Sequence, residues 1–338
     1  MNKISESYAT TIKHTAQQSI KIIDNLNSSG NGQLKSDVLK GFLSTPKYIS
    51  SKYFYDAKGS KLFEDITKLE EYYPTRTEKS ILRSIGNKLN LEYHNLNIIE
   101  FGSGDHTKIR LLIKQIPEDF LPTVTYYPID ISRSAVEKSA KNLLGEFPTL
   151  QISGILTDFM QTISLPDFEN RRLFCFLGST IGNLNPKEAE NFIIKVAEIM
   201  KSGDRFLLGL DMVKDVKVLN RAYNDGQNIT SEFNKNILNV MNSLMQADFS
   251  PNDFEHIAFY NEQEQRIEMH LKALSDMKIK LNNLNTEISI IKNELINTEY
   301  SYKFTDDDIK RFCDSSGLKI EHVFSDGNKW FSLVAFRK

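Results

Sequence analysis

An α/β fold built on a mostly parallel sheet is what this 338-residue chain predicts. Three observations carry that expectation. Short apolar runs alternate with helical patterns between about residues 97 and 211. The first run, Asn97 to Phe101, opens straight into Gly102-Ser103-Gly104 and then a helical stretch, Lys108 to Ile116. Two later runs end on acids, Asp130 and Asp211. Glycines at such a turn let the backbone bend sharply and approach a ligand closely. The helix start behind them offers unpaired N–H groups and a partial positive charge. The turn therefore suits a nucleotide-type cofactor, although His106 stands near where a dinucleotide fingerprint places its third glycine.

Composition narrows the class. With 40% hydrophobic and 25% charged residues the chain reads as globular, with one large or two modest domains. A net charge of −2 gives no reason to expect nucleic acid or an anionic membrane as partner. Met1 to Gln18 is polar, with no apolar core of a signal peptide, and no apolar run approaches the ~20 residues that span a bilayer. Cys175 and Cys313 form no C-x-x-C pair, so reduced, buried thiols and a cytoplasmic location are expected. The six histidines are scattered without ligand spacing, and no metal site is expected.

The first 24 residues read as a polar arm or frayed helix, and Ser28 to Gly32 as a loop. Val38, Leu39, Phe42 and Leu43 predict a helix over 34–44, ended by Pro46. Two aromatic clusters follow, Tyr53-Phe54-Tyr55-Asp56 and Glu71-Tyr72-Tyr73-Pro74-Thr75-Arg76, the second leading into a helix over 77–89. Such rings either line a polar pocket or fill core with satisfied hydroxyls. After the glycine turn, Val124 to Ile129 reads as a second strand. Its terminal Asp130 is placed either to accept from ribose hydroxyls or to cap the next helix. A helix over 134–146 leads to a third strand, Leu150 to Leu156, closing on Thr157-Asp158-Phe159. Arg172 to Leu177 is continuously apolar after its first residue, as a strand buried on both faces requires, and opens into Gly178-Ser179-Thr180-Ile181-Gly182-Asn183. A helix over 187–200 and a fifth strand ending on Asp211 complete the alternation.

Helical patterns then run from Val213 to Met245, broken around Gly226. Ile267, Met269, Leu271 and Ala273 alternate strictly, which predicts a strand, and Met277, Ile279, Leu281, Ile288 and Ile290 repeat the period, predicting a meander of strands. A helix near 306–315 capped by Gly317, and two strands joined at Asp326-Gly327-Asn328, finish the chain. A single terminal hairpin completing such a sheet is more typical of methyltransferases than of dehydrogenases, an analogy at the level of fold. The expected units are an N-terminal arm (1–24), a cofactor-binding domain (77–213 and 303–338) and an inserted α+β substrate-binding domain (25–76 and 214–302).

Eight motifs together resemble one family: F-Y-D-A-K-G-S-K-L-F-E (54–64), E-Y-Y-P-T-R-T-E (71–78), E-F-G-S-G-D-H-T-K (100–108), Y-Y-P-I-D-I-S (126–132), F-L-G-S-T-I-G-N (176–183), A-Y-N-D (222–225), R-I-E-M-H-L (266–271) and N-T-E-Y-S-Y-K-F (297–304). They look like the S-adenosylmethionine-dependent, histidine-specific Nα-methyltransferases of ergothioneine biosynthesis. The resemblance implies a class I (Rossmann-like) methyltransferase sheet with a C-terminal antiparallel hairpin. It also implies an enzyme that converts histidine, through its mono- and dimethyl forms, to the trimethyl betaine; a monomer is expected. For the cofactor it implies Gly102, Gly104, Lys108 at the methionine carboxylate, Asp130 at the ribose, and Asp158 and Phe159 at the adenine. For the amino acid it implies Asn183 and Tyr223 at the α-carboxylate, Tyr73, Glu299 and Ser301 at the imidazole, Met269 beside the ring and Tyr55 near the amine. Tyr55 and Asn183 are then the catalytic candidates.

The residues themselves agree on one point. Glu299 and Ser301 are two apart, so on a strand they share a face. A carboxylate and a hydroxyl so placed can accept from one ring nitrogen of imidazole and donate to the other. An exposed edge strand is the alternative for Glu299-Tyr300-Ser301. The rival functions are the same chemistry on another amino acid or an indole derivative, and a non-catalytic cofactor-binding protein.

Overall fold

The apolar runs assemble into one nine-stranded sheet in the computed structural model, which describes residues 8–15, 18–26, 30–104, 106–161, 163, 165–168 and 170–338. The chain opens with β1 (Tyr8–Thr15), β2 (Gln18–Asp24) and α1 (Gly30–Leu43). A 3-10 turn (Ser51–Phe54) leads to α2 (Ala57–Ile66) and α3 (Tyr73–Leu82). The alternation follows as β3 (Asn97–Phe101), α4 (His106–Ile113), β4 (Thr125–Asp130), α5 (Arg133–Glu146), β5 (Gln151–Leu156), β6 (Arg172–Phe176), α6 (Pro186–Ile199) and β7 (Arg205–Asp211). Then come α7 (Val216–Tyr223), α8 (Ile229–Met245), β8 (Phe254–Asn261), β9 (Arg266–Ala273), β10 (Met277–Leu281), β11 (Thr286–Ile290) and β12 (Leu295–Tyr302). The last elements are α9 (Asp306–Ser316), β13 (Lys319–Ser325) and β14 (Phe331–Arg337).

The order across the large sheet is β1-β2-β5-β4-β3-β6-β7-β14-β13. From β2 to β7 every neighbour is parallel, and β14 runs antiparallel to both β7 and β13. Successive residues of a strand face opposite sides, so one face carries Ile98, Leu173 and Leu207 and the other Ile99, Phe174 and Phe206. Helices cover both faces, which is why β3 and β6 are buried throughout. The α/β alternation starts at β3, winds outward through β4 and β5, and returns to place β6 on the other side of β3. The crevice at that reversal is where open α/β sheets bind ligands, and Gly102 and Gly178 both lie there at φ of 70° and 80°.

Several expectations are corrected. Residues 8–15 and 18–24 are strands of the sheet, paired with each other and with Lys21 set against Ser153 and Ile23 against Ile155, rather than parts of a polar arm. Ile20 and Ile22 are buried against the core, and their period of two, set among polar residues, is the signal for it. Residues 1–7, with Ser28 and Ser29 of the expected loop, lie outside the described residues, and α1 already begins at Gly30. The strands of 254–302 are not one meander. Strand β12 folds back beside β9 in a three-stranded sheet, β12-β9-β8, while β10 and β11 form a separate two-stranded sheet. Ala273 N donates to Glu294 O (3.0 Å) and Asn293 N to Ala273 O (2.8 Å), closing the neck of that hairpin. Cys175 is buried, but Cys313 is only partly so.

These smaller sheets share a third core with α1, α2, α7 and α8, built on Phe42, Phe54, Phe233, Ile237, Met241, Leu271 and Ile296. The chain leaves the large sheet at Asp211 and rejoins it at Phe304. The two crossings lie side by side: Phe304 N donates to Asp211 O (2.9 Å) and Val213 N to Phe304 O (2.9 Å). Among the described residues no helix is long and apolar enough to cross a membrane.

Candidate active site

The glycine turn is stapled to its neighbouring strand. Gly102 N and Ser103 N both donate to Ile129 O, at 2.9 and 3.3 Å. Gly102 adopts the left-handed region that disfavours a side chain, and a Cβ there would meet nothing closer than Phe176 at 3.9 Å. The space beside it is open. Asp130 ends β4 with Oδ1 accepting from Ser132 N (2.9 Å), and burial holds its carboxyl above the usual carboxylate range. It is not the cap of α5: that role belongs to Ser132, whose hydroxyl accepts from Ala135 N (3.3 Å). A Cβ on Gly104 would lie 4.0 Å from Asp130 Oδ2, so the turn and the acid face one another. Asp158 accepts from Met160 N and from Gln161 Nε2, and Phe159 packs on Phe101, Phe176 and Phe192 with ring centres 5.6 to 5.8 Å apart.

Lys108 is already engaged. Its ammonium is 2.9 Å from Oε2 of Glu78, a residue of α3 with no exposed side-chain surface, whose Oε1 accepts from Gly178 N (2.7 Å). Gly178 adopts a φ of 80°, which disfavours any side chain, and a Cβ there would also press on Lys108 Nζ from 2.6 Å. The acid before the first turn, Glu100, points into the sheet and accepts from Tyr126. These residues fit an adenosyl cofactor by their chemistry: a carboxylate for vicinal hydroxyls, an aromatic wall with an acid beside it for the base, and open glycine backbone with a lysine for the charged amino-acid end.

The second half of the site comes from β12. Its register with β9 shifts between Asn297 and Glu299, a bulge that brings Glu299 opposite Met269. Bulges re-aim side chains next to functional sites, and this one is pinned from behind. Thr298 Oγ1 donates to Asn234 Oδ1 (2.6 Å). The Asn234 amide donates to His270 O (3.0 Å) and to His256 Nδ1 (2.8 Å), and His256 Nε2 reaches Tyr223 O (3.0 Å). One buried chain thus fixes Glu299 relative to the end of α7.

At the front, Asn183 Nδ2 donates to Glu299 Oε1 (3.0 Å). Burial raises the Glu299 carboxyl to about 7, against the opposing pull of Lys303 and Asn183. Tyr223 donates to Ser301 Oγ (3.0 Å), and Lys303 Nζ donates to the same Oγ (2.7 Å) and to the Tyr223 hydroxyl (3.3 Å). Lys303 is 1% exposed and pairs with Asp211 Oδ2 at 3.1 Å. Asp211 also holds Lys214 and accepts from Tyr73 (2.7 and 2.9 Å), and its own N–H donates to Ser179 Oγ (2.9 Å). Burial lowers the Lys214 ammonium to about 8.

Of the residues chosen from the sequence, Asn183 is hydrogen-bonded to Glu299 and Tyr223 to Ser301, two pairs set two residues apart on β12, and Met269 pairs across from Glu299. Tyr55 lines the open side of this group, 47% exposed, yet crowding holds its phenol well above the ordinary range, with Glu299, Tyr223 and Asp130 adding to the effect. Tyr73 stands apart: its hydroxyl is committed to Asp211 and Lys214. The phenol beside Tyr223 is that of its neighbour Tyr72, with ring centres 6.3 Å apart. Adjacent residues at a helix start point about 100° apart, and the sequence does not say which of the two faces the cleft. The reading also missed Glu78, Asp211, Lys214, Lys303, Asn234 and His256. Glu78 and Lys303 were within reach, as charged residues inside two of the motifs, but only the fold supplies the partners that a buried charge needs. Two cavities, of about 620 and 810 Å³, contain none of the chosen residues; the second lies at the N-terminal ends of the strands, around Tyr93 and Arg171.

Residues 34–338 match the model of the histidine-specific, S-adenosylmethionine-dependent methyltransferases. The chain belongs to this family. It is 36% identical over 300 residues to the histidine N-alpha-methyltransferase of Mycolicibacterium smegmatis, covering 89% of this chain and 93% of that one. To the protein of the same name from Mycobacterium tuberculosis it is 36% identical over 309 residues, with 91% and 96% covered. An L-tryptophan methyltransferase of Psilocybe serbica is 25% identical over 334 residues, with 90% and 92% covered. The protein is thus an S-adenosylmethionine-dependent methyltransferase of the class I fold, and Asn183, on the loop after β6, reaches across to hydrogen-bond Glu299 of β12.

Proposed function

We propose that this methyltransferase acts on the α-amine of L-histidine and carries it to the Nα-trimethyl betaine. The observation that carries the reading is the pairing of an acceptor, Glu299, and a hydroxyl, Ser301, on one strand within reach of Asn183 and Tyr223. The names of the two relatives at 36% identity support it. When bound, the cofactor supplies an electrophilic methyl group. Gly102, Gly104, Asp130, Asp158 and Phe159 would hold it, with Lys108 at its carboxylate. Glu299 and Ser301 take the two ring nitrogens, with Tyr72 beside them in place of Tyr73, and Met269 bounds the ring. Asn183 and Tyr223 turn to the α-carboxylate when the substrate separates them from their present partners. Tyr55 stays protonated at neutral pH and orients the amine by hydrogen bonding, while the amine's proton leaves to the water that reaches the cleft around it. The protein contributes orientation and exclusion of competing water, effects worth up to ~7–11 kcal/mol in favourable cases. A quaternary product has no lone pair, so transfer stops at three. The two units expected from the sequence act as cofactor and substrate domains, and the enzyme works as a cytoplasmic monomer.

The test is a mass-spectrometric screen of the twenty amino acids with S-adenosylmethionine. Histidine should give mono-, di- and trimethyl products; preference for tryptophan or another amino acid would overturn the assignment. Histidinamide should be a poor substrate, and equal turnover of histidine and its amide would remove the carboxylate role from Asn183 and Tyr223.

A further inference from the structure

Ser301 is held in an unusual way for a recognition hydroxyl. A serine has one O–H to give and two lone pairs to receive with. Tyr223 fills one lone pair from 3.0 Å and the Lys303 ammonium fills the other from 2.7 Å. Of the two donors Lys303 is the fixed one, fully buried and bound to Asp211 at 3.1 Å, whereas Tyr223 turns to the substrate's α-carboxylate. With the ammonium held on its oxygen, Ser301 directs its own hydrogen away from Lys303 and toward the ring. Two residues earlier on the strand, Glu299 offers an oxygen and no hydrogen when ionised. The strand therefore presents a forced donor and a forced acceptor, the complement of a neutral imidazole, which carries one bare nitrogen and one N–H.

We propose that Lys303 is the residue that gives the pocket its polarity, and so its selectivity for a neutral, unsubstituted imidazole over rings of similar size. This rests on the histidine reading above. It makes Lys303 a positioning residue, acting through Ser301 and through the charge it sets against Glu299. An imidazolium would bring a second N–H to a serine that Lys303 orients to donate, close to a buried ammonium. A pyrrole or indole would leave the Ser301 hydrogen unpaired. The groups facing Glu299 are Asn183 from the loop after β6, Tyr223 from α7, and Tyr55 and Tyr72 from the segments flanking α2; Lys303 is the cation among the groups that act on it. Its removal raises the pH at which Glu299 ionises.

The test measures binding to the full chain by calorimetry, in the presence of the demethylated cofactor, from pH 6 to 9. The probes are histidine and pyrrolylalanine, whose ring keeps the N–H but replaces the acceptor nitrogen with C–H. Wild type should prefer histidine strongly. In Lys303→Met, with cofactor affinity kept, the histidine-to-pyrrole ratio should fall roughly tenfold, because Ser301 is free to rotate. The acid limb of histidine binding should move up by about one pH unit. Lys303→Gln keeps an N–H for Ser301 without the charge, so it should restore the ratio while leaving the limb displaced. The substrate's own titration is common to all three proteins. An unmoved ratio in a folded Lys303→Met overturns the proposal. Should that variant lose cofactor binding, an unmoved limb in Lys303→Gln does so instead. Wild type that binds the demethylated cofactor but no histidine overturns the histidine reading, a different result from histidine bound with insensitivity to Lys303.

Discussion

A carboxylate means different things at two positions of this chain. Asp130 and Glu299 are both held above the usual carboxylate range by burial, but their neighbours differ. Asp130 shares the strand end with Gly104, and the helix behind it is capped without it by Ser132. Asp130→Ala should therefore weaken S-adenosylmethionine binding more than tenfold in calorimetry. Ser132→Ala should instead cost about 1 kcal/mol of stability. Equal cofactor affinity in wild type and a folded Asp130→Ala would take Asp130 out of the site. Glu299 is the group whose ionisation burial in the pocket resists. Its carboxyl moves from an ordinary 4.5 to about 7 on folding. The folded state thus holds its proton more tightly than the unfolded chain, so the cost of folding with this group grows as pH climbs from 4.5 to 7 and is constant above. Glu299→Gln, free of ligand, should match wild type near pH 4.5 and exceed it at pH 8 by about 1–3 kcal/mol in urea unfolding. Histidine binding should fall in the same variant, since the amide offers its ring N–H a weaker acceptor than the carboxylate.

Two elements carry structure that their composition conceals. The bulge of β12 exists because Thr298 is drawn back to Asn234, which is fully buried and also bonds His270 O and His256. Asn234→Ala should cost about 2–3 kcal/mol by stranding those partners. It should raise the KM for histidine well beyond any change in cofactor affinity, because Glu299 loses its aim. A loss of stability with unchanged KM would show the network to be scaffolding alone. Strand β2 is the second case. Ile22 is fully buried beside β5 while Lys21 is exposed. Ile22→Ala should destabilise by about 2–4 kcal/mol and Lys21→Ala by a few tenths. A free N-terminal arm would make both silent.

At the scale of the whole molecule, three cores meet where the chain leaves the large sheet and rejoins it. Asp211 stands at that crossing, neutralising Lys303 and Lys214 and receiving the Tyr73 hydroxyl. Burial pushes the Lys214 ammonium down to about 8, with Asp211 opposing the shift and the neighbouring Lys303 adding to it. Asp211→Asn should cost about 3–5 kcal/mol at neutral pH, the usual penalty for uncompensated buried charge. The loss should shrink above pH 8 as Lys214 sheds its proton. A penalty independent of pH in thermal unfolding would argue against that coupling.

The order of strands and helices from Asn97 to Asp211, the closing hairpin, and the residues of the glycine turn were determined by the sequence itself. Their signals are local: a period of two or 3.6, a cap, a glycine where the backbone must turn left. The same locality explains the misses. Strand β2 has a clear period in only a few residues, and its place depends on β5, more than a hundred residues later. The choice between Tyr72 and Tyr73 depends on which face of α3 meets β7, and the partners of Glu78, Lys303 and Asp211 come from other elements altogether. A buried charge is stable only beside its complement. Sequence can name the charge, but distance in three dimensions decides the partner, and with it whether Ser301 accepts or donates.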